Sequence, residues 1–398
     1  MKHNQKRFCW ACEKRLDFQD ICRVNNITAE QLNILWGSPY LEFYCCKCFN
    51  DEIRKTRIER KRYELEKLKD KYNKFKNAVD DTKKKMSPED RTVLEFFEKE
   101  VGIIIPFVKR INPFSIGFTM KNDHLTGLSL YYCGIGKIPE RIHEAKYLRQ
   151  LHLNCNEISS LPNSIGFLTS LQELSLNRNY LKQVPVDIGN LSSLTFLNLG
   201  RNRLEKLPLS IGDLQSTIIL ILSQNKLTEL PSSLERLSNI RELDLSHNNL
   251  GNLPSTIGKL TSLEKFYINN NKLTQLPNNI KNLISLRYID LSNNFLRDFS
   301  KEICNLKKLE RLDMRNNQII NLPDSIGRLE SIQYLDLENN KLENLPTSIG
   351  KLQKLHGLYV NNNNLSTLPK SIRNLKKLKH LDISNNKITP DFINKLEL

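Results

Sequence analysis

The chain has 398 residues with 60 Lys and Arg against 44 Asp and Glu, a formal charge of +16, and nine cysteines. That length allows more than one structural unit, and a basic excess spread along the chain favours solubility and acidic partners without specifying nucleic acid or membrane. No stretch approaches 18 uninterrupted apolar residues and the polar start Met-Lys-His-Asn-Gln-Lys-Arg has no apolar h-region, so no membrane span and no export signal are expected, and the odd cysteine count points to a reducing, cytoplasmic compartment.

Residues 1–50 hold two C-x-x-C pairs, Cys9/Cys12 and Cys45/Cys48, with 32 residues between them. Two residues between thiols let one tight turn offer both sulfurs to a tetrahedral ion, and a second pair closes the site. The expectation is a structural Zn2+ on Cys9, Cys12, Cys45 and Cys48, with Cys46 as a substitute ligand. Two disulfides or unmetallated thiols are the alternatives. Four thiolates leave no open coordination position, so a catalytic ion is not expected.

Residues 51–112 read as a linker of two helices. From Asp51 to Lys85 there is no Pro or Gly, and Ile58, Leu65, Leu68, Tyr72, Phe75 and Val79 fall on one narrow stripe. Packing within the chain, as a monomer, is the expected use of that stripe. A seam of only about three heptads holding two aromatics favours that use, with a coiled-coil dimer as the alternative. Residues 54–85 carry fourteen basic and six acidic side chains, which opens nucleic-acid binding by the cysteine module and this helix as an alternative function. Ser87-Pro88-Glu89-Asp90 reads as a cap, an N1 proline and first-turn acids, starting a second helix with Val93, Leu94, Phe96, Phe97 and Val101. Residues 113–124, with the strand that follows, read as a hairpin covering one end of what comes next.

Residues 125–388 repeat. The pattern L-x-x-L-x-L-x-x-N-x-L-x-x-L-P returns with its asparagine at Asn156, Asn179, Asn202, Asn225, Asn248, Asn271, Asn294, Asn317, Asn340, Asn363 and Asn386, each step 23 residues, with Cys133 in the first copy. Twelve copies are counted. In each, leucines alternate with polar residues over a short strand, and the asparagine amide is suited to satisfy buried backbone groups at the following turn. The glycines of the returning segment, Gly189, Gly212, Gly258, Gly327 and Gly350, read as C-terminal glycines of short helices. One copy cannot bury its own leucines, so the stack is the folding unit. The pattern resembles the intracellular leucine-rich repeat class with an L-P-x-x-I-G returning segment, found in Ras-scaffold, Ras-suppressor and plant Ras-group proteins. The resemblance implies an α/β solenoid, a horseshoe whose strands line one concave face, and a protein-interaction role, with a small GTPase or other signalling protein as partner.

Residues 389–398 start with Thr-Pro-Asp and read as a closing helix over the last repeat. Along the strands, outward positions are apolar at Phe196, Ile219 and Ile221, and carry Tyr267, Tyr288, Asp290, Arg311, Asp313, Tyr334, Asp336 and Tyr359 further on. Tyrosines give contact area at low entropy cost and charges set specificity, so these residues are the expected partner site. No phosphate-cradling glycine loop, G-x-S-x-G or H-E-x-x-H is present, and the expected function is a non-enzymatic scaffold or adaptor.

Overall fold

In a computed structural model the described residues are 7–8, 15–16 and 76–389. The chain divides into two units, Met1–Lys76 and Asn77–Leu398. Within the first, β1 (Arg7–Phe8) pairs antiparallel with β2 (Arg15–Leu16), Arg7 opposite Leu16. The cysteines of the first fifty residues, the expected helix up to residue 75 and the closing helix at 390–398 lie outside the described residues.

α1 (Lys76–Lys85) starts at the last residue of the first unit and runs into the second, where α2 (Pro88–Val101) follows. Ser87 caps α2, accepting from Asp90 N, and Gly102 ends it in the left-handed region at φ 74°. Buried Asp90 ties this helix to the sheet: one carboxylate oxygen takes Ser87 Oγ, His124 Nδ1 and Leu125 N at 2.8, 3.0 and 3.1 Å. Lys83, from the basic run, is buried in an ion pair with Glu98 at 2.6 Å, so this cation serves packing.

β3 (Ile116–Lys121) and β4 (His124–Leu130) form an antiparallel hairpin closed by Asn122 and Asp123, both at positive φ as a type I′ turn requires. Backbone bonds from Val108 N to Phe118 O and from Phe118 N to Pro106 O cover the outer edge of β3, which would otherwise present unpaired groups. From β4 onward all pairings are parallel, giving one 13-stranded sheet. Its further strands are β5 (Gln150–His152), β6 (Glu173–Ser175), β7 (Phe196–Asn198), β8 (Ile219–Ile221) and β9 (Glu242–Asp244). Then come β10 (Lys265–Tyr267), β11 (Tyr288–Asp290), β12 (Arg311–Asp313), β13 (Tyr334–Asp336), β14 (Gly357–Tyr359) and β15 (His380–Asp382). Between strands the chain returns through five-residue 3-10 turns such as Leu209–Asp213 and Ser255–Lys259. Leucines and isoleucines from strand, turn and return, such as Leu243, Leu245, Leu250 and Ile257, fill the core between them at 0 or 1% exposure.

The repeated asparagine stitches each copy to the one before. Asn248 Oδ1 accepts from Leu227 N, and its Nδ2 donates to Leu222 O and Leu245 O, all at 3.0 Å. The same set recurs down the stack, ending with Asn386 on Leu365 N and Val360 O. At the first copy, Asn156 Oδ1 accepts from Cys133 N and Ile135 N. The residue just before each marker adopts φ of 53° to 59°, from Tyr132 to Asn385. Asparagine tolerates this left-handed region better than other non-glycine residues, which explains the Asn-Asn doublets at 270–271, 293–294, 316–317, 339–340, 362–363 and 385–386.

The return-segment glycines have a different role from the one expected. None has positive φ; among the described glycines only Gly102 and Gly134 do. Instead, a Cβ at Gly166, Gly189, Gly212, Gly258, Gly327 or Gly350 would lie under 3.0 Å from the carbonyl oxygen of the next return segment. Glycine is there for close approach between turns of the solenoid.

Close approach separates two glycines. Gly212→Ala, whose methyl would meet Ser233 O, is expected to cost about 1–3 kcal/mol in chemical denaturation. Gly251→Ala, with open space around it, is expected to change stability by no more than about 0.5 kcal/mol. Equal effects would refute the close-approach explanation.

Candidate functional site

Parallel in-register pairing turns the outward positions of successive strands into columns. One column runs Phe196, Ile219, Glu242, Lys265, Tyr288, Arg311, Tyr334, Gly357 and His380; the next runs Asn198, Ile221, Asp244, Tyr267, Asp290, Asp313, Asp336, Tyr359 and Asp382. Partner residues in a column therefore stand one strand apart, about 4.8 Å. The expected site residues thus share one sheet face. They form two groups, Phe196, Ile219 and Ile221 on β7 and β8, and the tyrosine and charged residues on β10 to β14.

In the second group the rings and cations interlock. Tyr267 and Tyr288 have centroids 5.1 Å apart, and the Arg311 guanidinium lies 5.7 Å from the centroids of both Tyr288 and Tyr334. An arginine between two rings gains from each ring's negative face. Gly357 belongs to the site without having been expected there: a Cβ at this position would stand 2.8 Å from Tyr334 and 3.0 Å from Tyr359, so the missing side chain lets those two rings close in. Its one signal in the sequence is a glycine where neighbouring repeats carry Tyr334 and His380.

Beside the rings runs a row of carboxylates. Asp313 is 2% exposed, although its position in the repeat reads as outward; Arg315, two residues on, grips it with Nε and Nη2 at 2.8 to 3.1 Å and covers it. The same Nε lies 3.3 Å from Asp336. Burial opposes the charge on Arg315, but its bonds to Asp313 and the charge of Asp336 hold its pKa above the ordinary value. Among the described residues no cation is at ion-pair distance from Asp290, and its Oδ1 accepts from Ser292 N and Oγ at 3.0 and 2.7 Å. Burial, then the charge of Asp313, raises the pKa of Asp290 and pushes that of Asp336 up to about 7. Burial also raises Tyr267, Tyr288 and Tyr359, so their hydroxyls stay protonated and able to donate.

His152, also at an outward strand position, is 1% exposed. The 112–115 segment crosses this end of the sheet, with Ser129 Oγ donating to Asn112 O and Ser115 O, and Asn154 Nδ2 to Pro113 O. His152 Nε2 lies 3.2 Å from Glu173 but makes no hydrogen bond of good geometry, and burial lowers its pKa, leaving a neutral ring.

The expected zinc ligands Cys9, Cys12, Cys45 and Cys48 lie outside the described residues. Among the described residues no group of three or more His, Cys, Asp or Glu is disposed to hold a metal ion, and no helix is long and apolar enough to cross a membrane.

The sequence matches two family models, one described as leucine-rich repeat region over residues 186–278 and 326–398, the other as leucine rich repeat over 146–204 and 284–342. Among curated proteins none matches. Of solved structures, a leucine-rich repeat protein of Leptospira interrogans is 35% identical with a TM-score of 0.59, covering 68% of this chain and 75% of that one. The plant peptide hormone receptor RGFR1, solved in complex with RGF2, is 33% identical with a TM-score of 0.62, covering 68% of this chain and 46% of the receptor. An internalin from Listeria monocytogenes, 22% identical with a TM-score of 0.53 and coverage of 66% and 82%, shares the fold.

The raised pKa of Asp336 has a stability consequence. The carboxyl is favoured neutral in the fold, so its contribution is fully present below the unfolded value near 3.9 and is lost as pH rises through about 7. Asp336→Asn is therefore expected to match the parent at pH 4 and to exceed it by about 1–3 kcal/mol at pH 8.5 in denaturant titrations. A variant equally or less stable at pH 8.5 would contradict this.

Proposed function

Because the chain belongs to the leucine-rich repeat family, whose members generally mediate protein–protein interaction, we propose that it is a non-enzymatic scaffold or adaptor holding a protein partner on the outward face of its sheet. The observation that carries this is the interlocked group Tyr267, Tyr288, Arg311 and Tyr334 beside Asp290, Asp313 and Asp336. Aromatic rings and arginine are the side chains most enriched among residues that dominate binding energy, and here they stand on a rigid sheet, already ordered before a partner arrives. A row of carboxylates on an open sheet face offers recognition more readily than acid–base chemistry. The plant receptor solved with RGF2 gives a related fold that receives a ligand, which supports the same use here.

The L-P-x-x-I-G returning segment extends the proposal to a cytoplasmic role in signalling of the small-GTPase type. On the cysteine spacing alone we also propose that Cys9, Cys12, Cys45 and Cys48 hold one structural zinc ion.

Two experiments check these proposals. A pull-down from the source cell's lysate is expected to recover a protein partner with the parent chain and to lose it when Tyr267, Tyr288, Tyr334 and Tyr359 are all alanine. Equal recovery by both would move the interaction off this face. Elemental analysis of the purified chain is expected to give about one zinc per chain, falling to none in a Cys45→Ser, Cys48→Ser variant. A metal-free parent chain would remove the zinc site.

A further inference from the structure

The two groups on the sheet face differ in chemistry, and their separation is set by the strand count. Phe196, Ile219 and Ile221 on β7 and β8 are half-buried apolar side chains with no described element covering them. Three to six strand steps on, the columns of β11 to β13 place Asp290, Asp313 and Asp336 side by side. Arg315 is committed to Asp313 and Asp336, and Arg311 stands between tyrosines in the neighbouring column. With Glu338 following Asp336, carboxylates outnumber guanidiniums in this patch, on a chain whose overall charge is +16. Between the two groups Lys265 is already paired with Glu242 at 3.1 Å and offers little to a ligand.

From these observations, and resting on the protein-binding function above, we propose that the occupant is an extended segment of a partner protein lying across the strands. It sets an apolar side chain on Phe196, Ile219 and Ile221 and an arginine or lysine against Asp290, beside the carboxylates that Arg315 already holds. The distance between the two contacts fixes the motif. From Phe196 on β7 to Asp290 on β11, four steps of about 4.8 Å give roughly 19 Å, and at about 3.3 Å per residue that is a spacing of about six residues.

Three physical points favour a cation over other occupants. An acidic segment would add charge beside carboxylates that already repel one another and are partly removed from water. Arg315 neutralises Asp313 and Asp336, and Asp290 is left with no described cation at ion-pair distance, so a partner's side-chain cation has a carboxylate to meet. Arg311 also shows what the surface does with a guanidinium: it seats it over tyrosine faces. The strands inside the sheet have their backbone groups paired on both sides, so recognition goes through side chains rather than by adding a strand.

The test pans a random twelve-residue peptide display library on the full chain. The panning is repeated on Asp290→Asn with Asp336→Asn, and on Phe196→Ser with Ile221→Ser, after thermal melts confirm folding. Enriched peptides are expected to carry Arg or Lys about six positions from an apolar residue. Their affinity should fall at least about tenfold on the Asp variant and on the Phe/Ile variant. A second measurement needs no variant: binding to the parent chain should weaken at least about tenfold between about 0.05 and 0.5 M NaCl.

Peptides lacking a basic residue, or binding the Asp variant as well as the parent, would overturn the inference. If such peptides still require the four tyrosines, the broader protein-binding function survives. Absence of enrichment overturns the inference as well. Sedimentation of the chain as a dimer that Phe196→Ser with Ile221→Ser dissolves would assign the face to a second copy and likewise overturn it.

Discussion

The structure depends on one side-chain amide repeated down the stack. A solenoid turn leaves backbone N–H and C=O groups in the interior, away from water, and each unpaired group would cost about 1–3 kcal/mol. Asn248 and its counterparts meet that demand with one acceptor and two donors, reaching both their own turn and the previous one. The bond from Asn248 to Leu227 is therefore an inter-repeat contact as well as a turn contact. This coupling fixes the vertical spacing of copies, and the spacing fixes where every outward side chain stands. The columns of the site are a consequence of the ladder beneath them.

The returning segments solve the same packing problem on the opposite side. Leucines can fill the core only if neighbouring turns approach closely, and Gly212 or Gly258 permits this by leaving room for the next carbonyl oxygen. Where His143, Glu235, Lys281, Cys304 or Arg373 replaces glycine, that route to close approach is absent. The stack thus tolerates variation in the return more readily than in the asparagine, where Cys133 in the first copy is the one departure.

Much of this was legible in the sequence because the constraints are periodic. A step of 23 residues without a gap announces the solenoid, and alternation around Leu243 and Leu245 announces the strand and its outward neighbours. What was not legible depended on contacts between copies. The glycines read as helix ends because one repeat in isolation gives no hint of Ser233 in the next. Asp313 read as exposed because periodicity places it outward, while Arg315, an exception to the serine found at that point after Asp244 and Asp290, folds back over it. The doublets such as Asn293-Asn294 hide two different jobs behind one residue type, a left-handed turn and a buried ladder rung. Gly357 shows in the sequence only as a break between Tyr334 and His380, and its effect on the rings of Tyr334 and Tyr359 depends on contacts between copies.

A surface built by identical translation has a hazard: a ligand that fits it at one position fits nearly as well one step along. Gly357 breaks that degeneracy. It removes one member from the column of side chains running from β7 to β15 and lets Tyr334 and Tyr359 close in over the gap, so that stretch of the face carries a landmark that does not recur within it. An otherwise uniform ruler thereby acquires a zero mark, against which a bound chain has a single reading frame.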